Sequence, residues 1–372
     1  MLTSLLGIRL VLWMGSPVPM PASADVLGAL SQIEVINDIE SGDGFQMTFS
    51  LNKDKSMDYS LLSGGDLEPF TQVVIGVILG ATPEPLINGV ITHHQVSPSN
   101  EPGKSTLTVT GKDLGMMLDL EEKNENYDNQ PDFIIVSSII AAYAKYGLVP
   151  QATPTTDVPL MIQRIPSQHE TDLKFIQRLA SRNGFIFYIE PLSMGVSKAY
   201  WGPETRLDLP QPALTINMGA STNLTSLRFS NDSLAAVEAK GDFVEPMTKS
   251  VLPVPSLPTL RTPPLATSAE SPRRKVLLRT TSNQNPAQAA SASLSAVTTA
   301  PEPVTGDGEV DTVRYGSVLR ARKLVGLRGA GKTYDGNYYV RRVQHLISKG
   351  SYTQKFKISR EGTGSMLPAV VP

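Results

Sequence analysis

The chain has 372 residues, with 33 Lys and Arg against 35 Asp and Glu, a formal net charge of −2, and no cysteine. At roughly 150 residues per domain, that length predicts two or three domains with cores large enough to need no metal or crosslink. The absence of cysteine excludes disulfide scaffolds, Cys-ligated zinc, iron–sulfur clusters and thiol catalysis, and the near-neutral charge argues against a bulk polyanion binder.

The charge is unevenly spread. Residues 1–130 hold 17 acidic and 6 basic side chains, a net of −11, whereas residues 306–362 hold 12 basic and 5 acidic ones, a net of +7. Two readings are open: two solvated surfaces of different sign, or an acidic end that faces the basic end of a neighbouring subunit in a ring.

In chain order, the apolar stretch from Leu2 to Met14 followed by Ala22, Ser23 and Ala24 has the outline of a secretory signal. No basic residue precedes it, however, and Arg9 sits in its middle, so Ile8–Trp13 is read as an opening strand. No other stretch approaches the ~18 apolar residues of a membrane helix, so no stable membrane insertion is expected. Short alternating or apolar runs at Gln32–Ile36, Phe45–Leu51, Val73–Leu79, Gly89–Val96 and Thr106–Thr110, separated by Gly, Pro, Asn and Asp, predict a β-rich first domain over 1–115.

A helical α/β domain is expected over 116–200. Phe133–Tyr146 predicts a buried helix stopped at Gly147. Ser167 and Glu170 have capping-box spacing before the stripe Leu173, Ile176 and Leu179, with Asn183-Gly184 as the stop and Phe185–Ile189 as the following strand. Further strands are expected at Leu214–Asn217, Leu227–Ser230 and Val237–Ala239. Residues 247–305 contain nine prolines and no aromatic residue, which predicts an extended or disordered surface insertion without a core. Helix formers fill Val310–Leu324. A hairpin then has arms Asn337–Ile347 and Ser351–Ser359 joined at Lys349-Gly350, with Tyr352, Phe356 and Ile358 on one face. Residues 363–372 are read as a tail.

Asn88–Asp113 matches Asp335–Glu361 in order and chemistry: an Asn/Asp-Gly start, a β-rich arm, a Gly-containing turn and a returning arm rich in Thr or Lys. Such a repeat predicts two copies of one β-barrel, at 1–115 and at 201–246 with 306–362, separated by the α/β insertion. The fold class is thus α+β, mainly β.

Candidates for chemistry are few. His93 and His94 are neighbours on a strand and point to opposite faces, His169 is expected in a helix's first turn and His345 in the terminal hairpin; none has metal-ligand spacing, and all are read as partly exposed structural residues. Asp119-Leu120-Glu121-Glu122 could supply a glycosidase's carboxylates but is flanked by Lys123–Asn126 and reads as a solvated loop. No G-x-S-x-G elbow is present. Tyr338, Tyr339, Arg341 and Arg342 come closest to an RNA-binding strand, yet in a hairpin they more simply alternate between core and surface. Gly326–Thr333 matches the phosphate-loop formula G-x-x-x-x-G-K-[ST], but Tyr334–Val340 combine a turn with β-formers where a helix should begin. No catalytic, cofactor or metal residue is assigned.

His169–Pro191 resembles the motif of the phage late control D family, the tail hub proteins of contractile phages, found also in the hub part of type VI secretion spike proteins. Tyr200–Asp232 and Tyr334–Gly362 look like the family's middle strands and terminal hairpin, and Val26–Leu51 resembles the start of a stand-alone hub. The resemblance implies a non-enzymatic homotrimer whose two similar barrels per chain give a pseudo-sixfold ring. Such a ring would join a hexameric inner tube to a trimeric spike among baseplate wedge components, in a phage tail or tail-like particle assembled in the bacterial cytoplasm. No oligonucleotide-fold barrel or β-helix repeat follows Gly362, so the spike would be a separate protein. The resemblance implies no cofactor and no nucleic-acid partner. The remaining readings are a tail-borne cell-wall hydrolase and a carbohydrate- or envelope-binding β module. Isothermal titration with nucleotides is expected to show no micromolar binding, and Lys332→Ala is expected to change nothing in it.

Overall fold

In a computed structural model of the chain, the described residues are 7–366 apart from 17, 53–58, 81, 102, 156, 158–164, 245–247 and 280–284. Most of the expected tail, residues 367–372, lies outside them, although Gly362–Ser365 forms a strand against Ala266–Ala269.

The first block supplies β1 (Ile8–Gly15), β2 (Leu30–Asp38), β3 (Gly44–Leu51), β4 (Gln72–Leu79), β5 (Thr82–Ser97) and β6 (Ser105–Asp113). The apolar segment that mimics a signal is β1, antiparallel to β4 along its whole length. Every strand expected in this block is present. Alternation sets the face: in β3, Phe45, Met47, Phe49 and Leu51 are buried while Gln46 is exposed.

The middle block contains β7 (Glu122–Asn126), α1 (Asp132–Ala141), β8 (Leu148–Ala152), β9 (Ser167–Thr171), α2 (Asp172–Asn183), β10 (Ile186–Ser193) and β11 (Val196–Gly202). One expectation fails here. Ser167–Glu170 do not cap a helix, because Ser167–Thr171 pair as an antiparallel strand with Glu122–Asn126, the stretch that follows the irregular Asp119–Glu121. Their backbone groups are taken by the ladder, so α2 begins only at Asp172, with Thr171 as N-cap accepting from the Lys174 N–H. Gly184 ends α2 in the left-handed conformation. Phe175, Ile176, Leu179 and Trp201 form the centre of a separate core, in which the Trp201 indole N–H donates to the Ile176 carbonyl.

The last block supplies β12 (Gln211–Thr215), β13 (Leu224–Asn231), β14 (Val304–Asp311), β15 (Leu324–Arg328), β16 (Gly336–Ser348) and β17 (Ser351–Arg360). Between β14 and β15, where helix formers suggested a long helix, there is a single turn, Thr312–Tyr315, ended by Gly316 in the left-handed region. The proline-rich insertion also differs from expectation. It contains α3 (Pro286–Thr298), which begins with a capping box between Asn285 and Gln288 and has Pro286 in its first turn. Helix α3 packs against α2: the Ser295 hydroxyl donates to the Ser181 carbonyl, and Ala289 is buried with Phe243 and Val254. Small residues leave little apolar bulk, so this segment is ordered by docking onto surfaces that others supply.

Thirteen strands form one continuous sheet, in the order β13-β14-β17-β16-β2-β3-β6-β5-β4-β1 and the two-residue strand Met20–Pro21, with β15 also on β16 and β12 on β15. The repeat is visible in this order. Strands β2-β3-β6-β5-β4-β1 and β13-β14-β17-β16-β15-β12 follow the same spatial sequence from the same chain order; they differ in that β1 is antiparallel to β4 whereas β12 is parallel to β15. The ladder does not close on either unit; it runs from one into the other.

Register agrees as well. His93 opposite Thr110 corresponds to Arg342 opposite Lys357, and both hairpins carry an irregularity at the same place, between Ile91 and His93 and between Val340 and Arg342. The β2–β3 and β13–β14 pairs shift alike, between Leu30 and Gln32 and between Leu224 and Ser226. At each shift a hydroxyl donates to the facing strand's carbonyl, Ser31 to Thr48 at 2.8 Å and Thr225 to Glu309 at 3.2 Å. The ladder aligns Asn88 with Asn337, two residues later than the Asp335 that sequence similarity had matched to it.

A buried ion network ties the chain's crossing points. Arg206, fully buried, donates to Glu204 at 2.7 Å, Glu302 at 2.5 Å and Glu361 at 3.0 Å. Glu361 in turn accepts from the Leu265 and Ala266 N–H groups. Burial alone would raise the Glu302 carboxyl, but Arg206 and Arg261 hold it below its ordinary value. Arg206→Ala removes the guanidinium that bonds the buried Glu204 and Glu302, leaving Glu204 only the longer 3.4 Å contacts of Arg261 and Arg341, and is expected to cost about 3–5 kcal/mol, read from the midpoint of urea unfolding followed by circular dichroism.

Candidate assembly interface

The chemical candidates do not converge. His93 is exposed and His94 half-buried at the end of β5, His169 lies in strand β9 rather than a helix, and His345 is fully buried in β16, not partly exposed as the sequence suggested. The His345 Nδ1 lies 2.9 Å from the Tyr352 hydroxyl, and burial followed by the Arg320 charge pushes its pKa down to about 3, so the ring is neutral. The acidic run is irregular and exposed from Leu120 to Glu121, as expected of a solvated loop, while its ends are held: Asp119 accepts from the Thr171 hydroxyl at 2.6 Å, and Glu122 opens β7. Gly326–Thr333 runs from β15 into a turn that returns as β16, with no helix to receive a phosphate. Tyr338 and Tyr339 are both buried, one in the core of the last block and the other beside Leu265 and Leu324, because residues of the insertion cover the second face of β16. Among the described residues no group of three or more His, Asp or Glu could hold a metal ion. No helix of the described residues is long and apolar enough to cross a membrane.

A set of specific polar contacts lies at the junction of the two repeated units. Residues 342–348 of β16 pair antiparallel with residues 32–38 of β2, and across the ladder Gln344 Nε2 donates to Glu34 Oε1 at 2.6 Å. Arg320 reaches the first unit through Glu84 at 3.0 Å and the Pro85 carbonyl. Arg322 makes the strongest connection: its two Nη groups donate to the Asp43 carboxylate at 3.0 and 2.5 Å and to the Asp38 carbonyl at 2.8 Å. The same guanidinium lies 4.5 Å from the Tyr188 ring centroid of β10, so all three blocks meet at this side chain. Arg322 and Asp43 stand 279 residues apart, and no spacing pattern in the sequence singles them out.

These residues border a cavity of about 230 Å³ whose wall includes Asp38, Asp43, Lys112, Asp113 and Arg322. Asp113, half-buried there, accepts from the Gly115 N–H at 2.8 Å, and burial together with the Asp43 charge pushes its carboxyl up to about 7. An unfolded aspartate titrates near 3.8. Between the two values the folded chain keeps a proton that the unfolded chain has released, so this group's contribution to stability falls as pH rises from about 4 to about 7.

A second feature is a set of sheet edges that have no partner strand among the described residues. Beyond Ile91, β5 extends past the end of β4, and residues 93–97 pair, among the described residues, only with β6. Strand β13 is the outermost strand of the sheet and, among the described residues, pairs only with β14. Side chains along these edges are mixed: Val96 is 37% exposed, and Leu227 and Phe229 are only half-buried although they continue the core face of the last block. One face of the sheet is mainly polar, carrying Glu34, Gln46, Thr108, Thr110, Gln344, Lys355 and Lys357, with Ile36 and Leu346 half-buried among them.

Asp113→Asn keeps the acceptor oxygen for Gly115 and removes the charge. Its melting temperature is expected to exceed that of the parent at pH 8, and the gain should shrink toward pH 4, as followed by differential scanning calorimetry across that range.

No protein-family model matches the chain, and no curated protein matches it by sequence. Solved structures do. A tail protein from Neisseria meningitidis matches with a TM-score of 0.66 at 13% identity, over 95% of this chain and 97% of that one. A 43 kDa tail protein of a Shewanella oneidensis prophage matches with a TM-score of 0.62 at 13% identity, over 95% and 98%. An Escherichia coli component of the type VI secretion system, described as structurally similar to T4 bacteriophage tail proteins, matches with a TM-score of 0.56 at 14% identity, over 92% and 77%. The chain therefore has the fold of phage tail proteins and of this type VI secretion component, an α+β, mainly β fold in agreement with the resemblance read from its sequence.

Proposed function

We propose that the chain is the structural hub of a contractile tail or a related injection particle, a homotrimeric adaptor between a hexameric inner tube and a separate trimeric spike. The observation that carries the reading is the internal repeat. Two units share strand order, register and both irregularities, and they lie side by side in one sheet. A chain with two like units lets a threefold assembly offer six nearly equivalent positions, which is what a sixfold partner requires of a threefold one.

In this reading residues 1–115 and residues 201–246 with 306–362 are two similar β domains, read from the sequence as barrels although the ladder closes on neither, and residues 116–200 are the α/β insertion that fixes their relative position. Load passes through the sheet from unit to unit, and the polar face lines the opening. The spike and the baseplate wedge components are the remaining partners, and the particle forms in the bacterial cytoplasm. No step in this role needs a catalytic residue, so the chain acts as a non-enzyme. Similarity in fold to tail proteins of Neisseria and Shewanella and to a type VI secretion component of Escherichia supports the setting.

Mass photometry of the purified chain is expected to show three times the 40.1 kDa chain mass, and negative-stain microscopy a ring with threefold symmetry and a central channel. A particle of one chain mass at micromolar concentration, with no ring in the micrographs, would sink the proposal.

A further inference from the structure

The two repeated units differ most in one connection. Strands β2 and β3 are joined by the short turn Ile39–Asp43, whereas the equivalent strands β13 and β14 are joined by residues 232–303. A short turn is enough to complete the repeated fold, so the surfaces carried by the long connection answer to another demand.

One of those surfaces is a strand held in place with one edge unpaired. Arg274–Leu277 runs parallel to Val237–Lys240, whose Val237 and Ala239 are buried. Both ends are fixed: the Leu278 N–H donates to the Lys240 carbonyl at 2.8 Å and, upstream, the Glu270 N–H donates to the Glu361 carbonyl at 3.0 Å. Among the described residues the other edge of Arg274–Leu277 has no partner strand, so its backbone donors and acceptors are free to meet one. An edge fixed in this way can take up another strand without first being ordered.

Side chains decide which strand fits. Arg273, Arg274 and Lys275 are consecutive and exposed, and Lys240, opposite Leu277 in the ladder, is exposed as well. The nearby carboxylate is that of Glu238, 3.5 Å from Lys240 and 4.0 Å from Lys275. Among the described residues Arg273 and Arg274 make no ion pair and no side-chain hydrogen bond. Leu277, two residues from Lys275 and on the same face, is 66% exposed. Like charges keep a second copy of this edge away, while a strand of opposite sign is attracted. The leucine left in water marks where an apolar residue of that strand would lie.

We infer that Arg274–Leu277 accepts an extended acidic segment of a partner polypeptide as a third strand, with carboxylates against Arg273, Arg274 and Lys275 and an apolar residue over Leu277. Strand pairing favours a polypeptide over a single-stranded nucleic acid, which has no N–H and C=O ladder and is held on aromatic platforms that this edge does not carry. Every residue of the surface comes from one chain, so the inference is independent of the oligomeric state.

Fluorescence anisotropy with a labelled peptide in which Glu alternates with Val is expected to show saturable binding of one peptide per chain, weakening as salt is raised. Arg273→Glu together with Arg274→Glu removes cations that hold nothing in the fold. The double variant is expected to keep the parent's circular dichroism spectrum and to lose affinity for the peptide at least tenfold. The same peptide N-methylated at every residue keeps its charges but cannot complete a ladder, and it is expected to bind at least tenfold more weakly. Absence of saturable binding overturns the inference. So does equal binding of the N-methylated peptide, of the parent peptide to the double variant, or of an oligothymidylate of matching charge.

Discussion

The structure depends on the hydrogen-bonding demand of one long strand. Strand β16 has thirteen residues, and β15 covers only its first few, from Gly336 to Tyr339. The remaining N–H and C=O groups on that edge need partners once the surrounding side chains are buried. Strand β2, more than 300 residues earlier in the chain, supplies them over seven register pairs. This single ladder makes one sheet out of two units. The Arg322 contact to Asp43 and the Arg320 contact to Glu84 then hold the units at one angle. Without the ladder, those side chains would have no fixed geometry in which to pair.

The middle block and the insertion follow from that arrangement. Helix α2 is strongly amphipathic and buries its stripe within the middle core, while its outer side receives α3. An insertion made of Pro, Ser, Thr and Ala cannot nucleate a core. It can lie on one already built, held by capped backbone ends and by carboxylates such as Glu361 that accept from its N–H groups. Arg206 gathers Glu204 from before β12, Glu302 from the end of the insertion and Glu361 from just after β17, so distant parts of the chain are joined by charge neutralisation in a buried place.

The two units combine like topology with unlike side chains. The first unit is acidic and the last block basic, so the polar face of the sheet changes character along its length while the backbone repeats. Side-chain identity is free to diverge on that face because hydrogen bonding in the ladder is done by the backbone. Where the two units make the same contact with different residues, as at Ser31 and Thr225, the shared element is the hydroxyl and its position at the strand irregularity.

Much of this was legible in the residues alone. Alternation in β3 and β17, the glycines that stop α2, and the similarity of the two hairpins are local patterns, and local patterns respond to local physics. The start of α2 was misread because Ser167 and Glu170 satisfy a capping formula, while the backbone groups needed for it are claimed by β7, a strand of charged residues with no hydrophobic period of its own. Helix α3 was missed although Asn285, Pro286 and Gln288 are a good start signal, since its small residues carry no strong apolar stripe. Sequence by itself determined the strand-rich class and the repeat. The tertiary structure decided which strands are edges, which charges are buried and how the repeats join, because those depend on contacts between residues hundreds of positions apart whose pairing leaves no periodic trace in the chain.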